Sequence, residues 1–200
     1  MAKAKKKVRK VKKVSKTAKS KMKKPKRKMV KKPKKKMVKK AAAKKKKKLS
    51  AVPKGYNTIT PYLIVSHADK AIEFYKKVFD AKEVMRMAKP EGKIGHAELK
   101  IGDTKIMLAD EYPEMNIRCP LAYGGSPVGI HLYVKNVDTT VERALNAGAR
   151  LTRPVDNMFY GDRCGSIEDP FGHNWYVSTH VEDVSPAEMK KRMIKLFETQ

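Results

Sequence analysis

The chain has 200 residues and a formal charge of +28, from 48 Lys and Arg against 20 Asp and Glu. All the acids lie at or beyond Asp69 and 28 of the basic residues fall within 1–50, so residues 51–200 are neutral, 20 against 20. No apolar run approaches the roughly 18 residues of a membrane span, and the N-terminus has no apolar signal stretch, so a soluble, cytoplasmic protein is expected, nucleoid-associated through its basic part.

Residues 1–50 contain no aromatic and no acidic residue. With almost nothing to bury, chain entropy predicts disorder. KPKRKMVK from Lys24 to Lys31 recurs as KPKKKMVK from Lys32 to Lys39, and a proline in each copy keeps the chain extended. Such a polycation binds phosphate polyanions by releasing their counterions, without reading sequence. The nucleic-acid contacts are assigned to Lys24, Lys26, Arg27, Lys28, Lys31, Lys32, Lys34, Lys35 and Lys36, and to Lys44, Lys45, Lys46, Lys47 and Lys48. DNA and RNA are equally served. The lysine, alanine, proline and valine composition resembles linker-histone tails and the lysine-rich extensions of bacterial histone-like proteins.

Residues 51–184 are long enough for one domain with its own core. After linker-like Val52-Pro53-Lys54-Gly55, Thr58 to Val65 reads as a strand. Asp69 opens a helix whose inward face is Ala71, Ile72, Tyr75, Val78 and Phe79. Strands follow near 82–87, 93–101 and 104–109, the last two joined by a tight Gly102-Asp103 hairpin. After a Pro- and Gly-rich connection from Tyr112 to Pro127 the order returns: strand 128–134, a helix capped by Asp138 and ended by Gly148, then strands near 150–155, 160–167 and 174–179. Ser185-Pro186-Ala187-Glu188 is a capping-box start for a terminal amphipathic helix, 185–200, expected to pack on the domain or on a second subunit. Cys119 and Cys164 form no metal or redox spacing and are expected as buried or half-buried thiols.

The doubled β-α-β-β-β order, AIEFYKKVF after the first strand, GIHLYVKNVD opening the second unit and IEDPFGHNWYVSTHVEDVSP closing it resemble the vicinal oxygen chelate superfamily, the glyoxalase, bleomycin-resistance and dioxygenase proteins, and within it the PhnB-like branch. The resemblance covers about Tyr56 to Glu188. It implies an α+β fold of two βαβββ modules, 56–111 and 127–181, forming a curved mixed sheet around a ligand cavity often completed across a homodimer.

The resemblance also implies four metal-ligand positions, which fall here at Thr60, Glu98, Gly129 and Tyr176. One carboxylate with a Tyr and a Thr is too small a donor set for a divalent ion, so no metal is expected. The alternative is a metal held by Glu98 and His131, the latter two residues beyond Gly129 and on the same strand face. Strand alternation groups Thr60, Tyr62, His96, Glu98, His131, Tyr133 and Tyr176 as a ligand pocket. Within it, Glu98 is the candidate general base, provided burial raises its pKa. His173, in a turn, reads as structural.

The leading functional expectation is a small-molecule-binding domain without cofactor, likened to glyoxalase and bleomycin-resistance proteins and tethered to nucleic acid by the lysine-rich segment. Two alternatives stand beside it. One is a metal-dependent lyase, isomerase or dioxygenase using Glu98 and His131; the other is a dimeric nucleoid-associated protein whose domain serves as a head.

Overall fold

The computed structural model describes residues 49–198. The lysine-rich segment expected to be disordered, with the nucleic-acid contacts assigned to it in residues 1–48, lies outside the described residues.

The first strand, β1 (Tyr62–Val65), is shorter than the apolar run predicts. Pro61 has no N–H to give a ladder, and Thr60 Oγ1 turns back to donate to Asn57 O at 3.3 Å. Helix α1 (Ala68–Phe79) follows, with all five expected apolar residues buried. Its start differs from expectation. Asp69 lies in the first turn, and the cap comes from a distant residue: Asp110 accepts Ala68 N at 2.8 Å and Ile94 N at 2.6 Å. One buried carboxylate thereby fixes the helix start and a strand start together.

β2 (Lys82–Ala88), β3 (Ile94–Ile101) and β4 (Thr104–Asp110) complete a four-stranded sheet in the order β1-β4-β3-β2, with β1 parallel to β4 and the other pairs antiparallel. Gly102, at φ 57°, makes the hairpin between β3 and β4. Two short 3-10 turns, Pro113–Met115 and Pro120–Tyr123, carry the chain to the second module.

There β5 (Gly129–Tyr133), α2 (Val137–Asn146), β6 (Arg150–Asn157), β7 (Asp162–Glu168) and β8 (Asn174–His180) repeat the plan, in sheet order β5-β8-β7-β6 with β5 parallel to β8. Asn136, and not Asp138, caps α2: its side chain accepts Thr139 N at 3.0 Å. Asp138 is instead held by Arg163 at 2.7 Å. The strand expected from Tyr160 begins at Asp162, because Gly161 turns the chain at φ 98°.

The two modules share one core. Phe74, Tyr75 and Phe79 of α1 meet Phe171 and Trp175 of the second module, with Tyr75 and Phe79 ring centroids 5.5 and 4.6 Å from Trp175. Asp169 sits at the centre, only 2% exposed. Its Oδ2 accepts Tyr75 OH at 2.7 Å and Trp175 Nε1 at 2.8 Å, while Oδ1 accepts Phe171 N and His173 N at 2.9 and 3.0 Å. Burial and the neighbouring carboxylate push the Tyr75 hydroxyl well above the ordinary phenol pKa, so it remains a donor. Both cysteines are buried free thiols.

Helix α3 (Pro186–Glu198) starts as the sequence predicts, with Glu188 N donating to Ser185 Oγ at 3.3 Å. The box is not reciprocal, since the Glu188 carboxylate binds Arg192 at 3.1 Å. Arg192 also grips Glu182 through two bonds of 2.7 Å. Met193, Ile194 and Phe197 are exposed, so of the two expected partners for this apolar face, the domain or a second subunit, the domain does not cover these three residues. No helix among the described residues is long and apolar enough to cross a membrane.

Candidate functional site

Ala97, Leu99 and Ile101 of β3 are buried in the core, so alternation turns His96, Glu98 and Lys100 to the other face. The ladder sets Met85 and Met107 beside Glu98, and Met87 beside His96. Glu98 is 4% exposed yet fully engaged. Tyr56 OH donates a short hydrogen bond to Oε1, Lys105 Nζ lies 3.0 Å from Oε2, and His96 Nε2 is 3.7 Å from Oε1. The Lys105 ammonium also sits 3.9 Å over the Tyr56 ring, a cation–π contact that closes the triangle.

The Tyr56 hydrogen bond, helped by Lys105, outweighs burial and lowers the Glu98 pKa below the usual carboxylate range. That is the reverse of the shift a general base would need. Glu98 is an ionised group whose charge an internal ammonium balances. Tyr62, at the start of β1, stands edge-on to His96 at 5.7 Å, while Thr60 precedes the strand and bonds its own turn.

In the second module His131 and Tyr176 are direct partners across β5 and β8. Their rings lie 6.4 Å apart and nearly parallel, and Tyr133 is 4.8 Å from His131. The Tyr176 ring lies over Gly129, where an added Cβ would come within 2.1 Å of it. Tyr133 OH donates to Asp162 Oδ2 at 2.8 Å, and His180 Nδ1 is 2.7 Å from the other oxygen. His180 Nε2 reaches Asp183 at 3.0 Å. Burial alone would raise the Asp162 pKa, but the bonds from His180 and Tyr133 bring it down. Asp162 and then Asp183 raise that of His180.

His180 therefore favours folding when protonated. Its contribution is complete below the ordinary imidazole pKa near ~6.5 and is lost as pH rises through the raised folded-state value. In an NMR titration His180 is expected to titrate above the ordinary imidazole value, and Asp162→Asn should remove most of that shift. An unchanged titration in the variant would contradict the assignment.

The seven expected pocket residues thus form two groups. Tyr62, His96 and Glu98 cluster in the first module, and His131, Tyr133 and Tyr176 in the second. Among the described residues no hydrogen bond, ion pair or ring contact joins the groups, and Thr60 belongs to neither. Tyr62 lines a cleft of about 1000 Å3, whereas His131 and Tyr133 line another of about 920 Å3. His173 is buried and bonds Ile64 O at 3.1 Å, in keeping with a structural role.

A metal does not fit these residues. Glu98 is consumed by Tyr56 and Lys105, His131 is flanked by tyrosine rings, and among the described residues no three His, Cys, Asp or Glu side chains converge to hold an ion. Tyr56, Lys105, Asp162 and His180 are the partners that sequence reasoning missed. Only Lys105 carried a signal. The two-residue hairpin at Gly102-Asp103 sets Lys100 opposite Lys105 and so places Lys105 on the face of Glu98.

Removing that ammonium leaves a buried carboxylate without its counter-charge. Lys105→Met is expected to lower the melting temperature by several degrees and to raise the Glu98 pKa, and adding Glu98→Gln should recover most of the loss. A double variant no more stable than Lys105→Met would show that the two groups are not coupled.

Residues 55–177 match the profile of the Glyoxalase/Bleomycin resistance protein/Dioxygenase superfamily. An uncharacterized protein of Mycobacterium bovis is 42% identical over 138 residues, 68% of this chain and 91% of that one. A Pseudomonas aeruginosa protein of known crystal structure superposes with a TM-score of 0.50 at 26% identity, over 62% of this chain and 98% of that one. A PhnB protein from Bacillus cereus gives 0.51 at 19% identity, over 62% and 99%, a likeness of fold alone.

Proposed function

Because this chain belongs to the glyoxalase, bleomycin resistance protein and dioxygenase superfamily, we propose that its folded domain binds a small organic ligand without a metal, and that its lysine-rich segment tethers it to nucleic acid. The observation that carries the ligand reading is the pair of aromatic and ionisable clusters on the sheet faces turned from the core, whose tyrosines are open to solvent. Tyr62, Tyr133 and Tyr176 are 53, 61 and 42% exposed, a lining suited to an organic molecule. The metal-free reading is supported by Lys105, whose ammonium already balances the Glu98 carboxylate.

A homodimer is part of the proposal. The exposed tyrosines, and Met87 and Phe197 at 58 and 69%, are large apolar surfaces of the kind a second copy would cover. Two lysine-rich segments carried by one dimer would also bind a polyanion with greater avidity.

A thermal-melting screen of the full-length protein against metabolites and antibiotics tests the ligand reading. A compound at about 100 times its Kd adds roughly 2.7 kcal/mol, or about 5 to 10 °C at this size. Tyr176→Ala or His131→Ala should reduce that shift. A panel-wide absence of shifts, or hits indifferent to both substitutions, would contradict it.

A further inference from the structure

The cleft between the modules is walled by the connection that joins them. Among the described residues the exposed Arg118 makes no hydrogen bond or ion pair, and the charge it acts on is Glu111. That carboxylate is itself occupied by Cys119 N at 3.0 Å. Arg150 gives one nitrogen to Glu168 at 2.9 Å and leaves the rest of its fork to solvent. Arg118, Arg150 and Glu168 line the same volume of about 1000 Å3, and these three side chains leave one positive charge in excess.

The walls are held in place before any ligand arrives. A Cβ on Gly172 would lie 2.9 Å from Leu121 Cδ2, so the turn seats directly on the connection. Asn174 Nδ2 donates to Ser126 O at 2.7 Å, and His173 Nε2 donates to Ile64 O at 3.1 Å, tying the second module to the connection and to β1. Tyr62 and Tyr123 are aromatic residues of the lining. Preorganised walls reduce the entropy lost on binding, and a planar guanidinium fork matches the oxygens of a carboxylate or phosphate.

We propose that this cleft binds a small organic oxyanion, a carboxylate or phosphate on an aromatic or apolar body, through Arg118 and Arg150. The inference goes beyond the sheet-face reading and shares only Tyr62 with it, so either can fail alone.

The test is an amide NMR titration of the full-length 15N-labelled protein with benzoate and with phenyl phosphate, using benzyl alcohol as the neutral control at constant ionic strength. The lysine-rich segment takes up anions unspecifically, so the readout is the amides of Gly124, Gly125 and Asn174, compared with Arg118→Gln and Arg150→Gln. Saturable shifts with at least one anion are expected, weakened about tenfold or more in each variant, as expected for loss of a charge-assisted bond. His131→Ala and Tyr176→Ala should leave them unchanged. Identical titrations in the arginine variants, equal binding of benzyl alcohol, or shifts confined to residues 1–48 would overturn the proposal. Both arginines are exposed, so the variants should retain the parent spectrum and stay informative.

Discussion

Asp169→Asn is expected to destabilise the folded domain by about 4 kcal/mol, since the substitution disturbs a buried carboxylate with four donors, each loss costing about 1 to 3 kcal/mol. An asparagine presents an NH2 group to one side of a ring of N–H and O–H donors, so at least one pair becomes donor against donor. The two side-chain donors belong to different modules, Tyr75 to the first and Trp175 to the second. The loss should therefore appear as a fall of about 10 °C or more in a single melting transition. Tyr75→Phe removes one donor only and should cost about 1 to 2 kcal/mol. Denaturant unfolding of both variants checks the pair. A change below about 1 kcal/mol for Asp169→Asn would mean that the carboxylate does not organise the junction.

Starting the chain at Leu49 is expected to abolish nucleic-acid binding. From that residue onward acids and bases number 20 each, and no net charge remains to release counterions. The parent should bind duplex DNA and RNA alike. With six to ten lysines on phosphates it should lose about 10³ to 10⁵ in affinity between 50 and 200 mM salt. Fluorescence anisotropy with an unrelated pair of duplexes reads both properties. Equal binding by the shortened chain, or strong preference between duplexes of the same length, would contradict the electrostatic tether.

The architecture was legible where local chemistry and global fold agree. The apolar spacing of α1, the Gly102-Asp103 hairpin and the turn through Asp169-Pro170-Phe171-Gly172 each admit few conformations, and together they mark two copies of one unit. Boundaries went astray where two residues compete for one role. Asn136 and Asp138 are both competent caps, and the choice falls to Asn136 while Arg163 takes Asp138. At α1 the cap comes from Asp110, 42 residues away from Ala68, which no local pattern predicts.

The site followed the same division. Strand parity alone places His96 with Glu98 and His131 with Tyr133. The state of Glu98, however, depends on Tyr56, 42 residues distant and outside any strand, which reverses the pKa shift that burial would impose. Parity also gave no sign that the two groups would remain separate. That depends on how the modules pack, through Tyr75, Asp169 and Trp175, and not on the pattern within either one.

Metal content and thermal melting of the full-length protein, with and without added manganese, nickel, zinc and iron, test most directly the claim that Lys105 takes the place of a metal beside Glu98. Binding to the native state must raise the melting temperature whatever the substrate. On that claim, substoichiometric metal and no shift with any of the four ions are expected. Stoichiometric metal, with a shift abolished by Glu98→Ala and by His131→Ala, would contradict it and place the chain among metal-dependent enzymes.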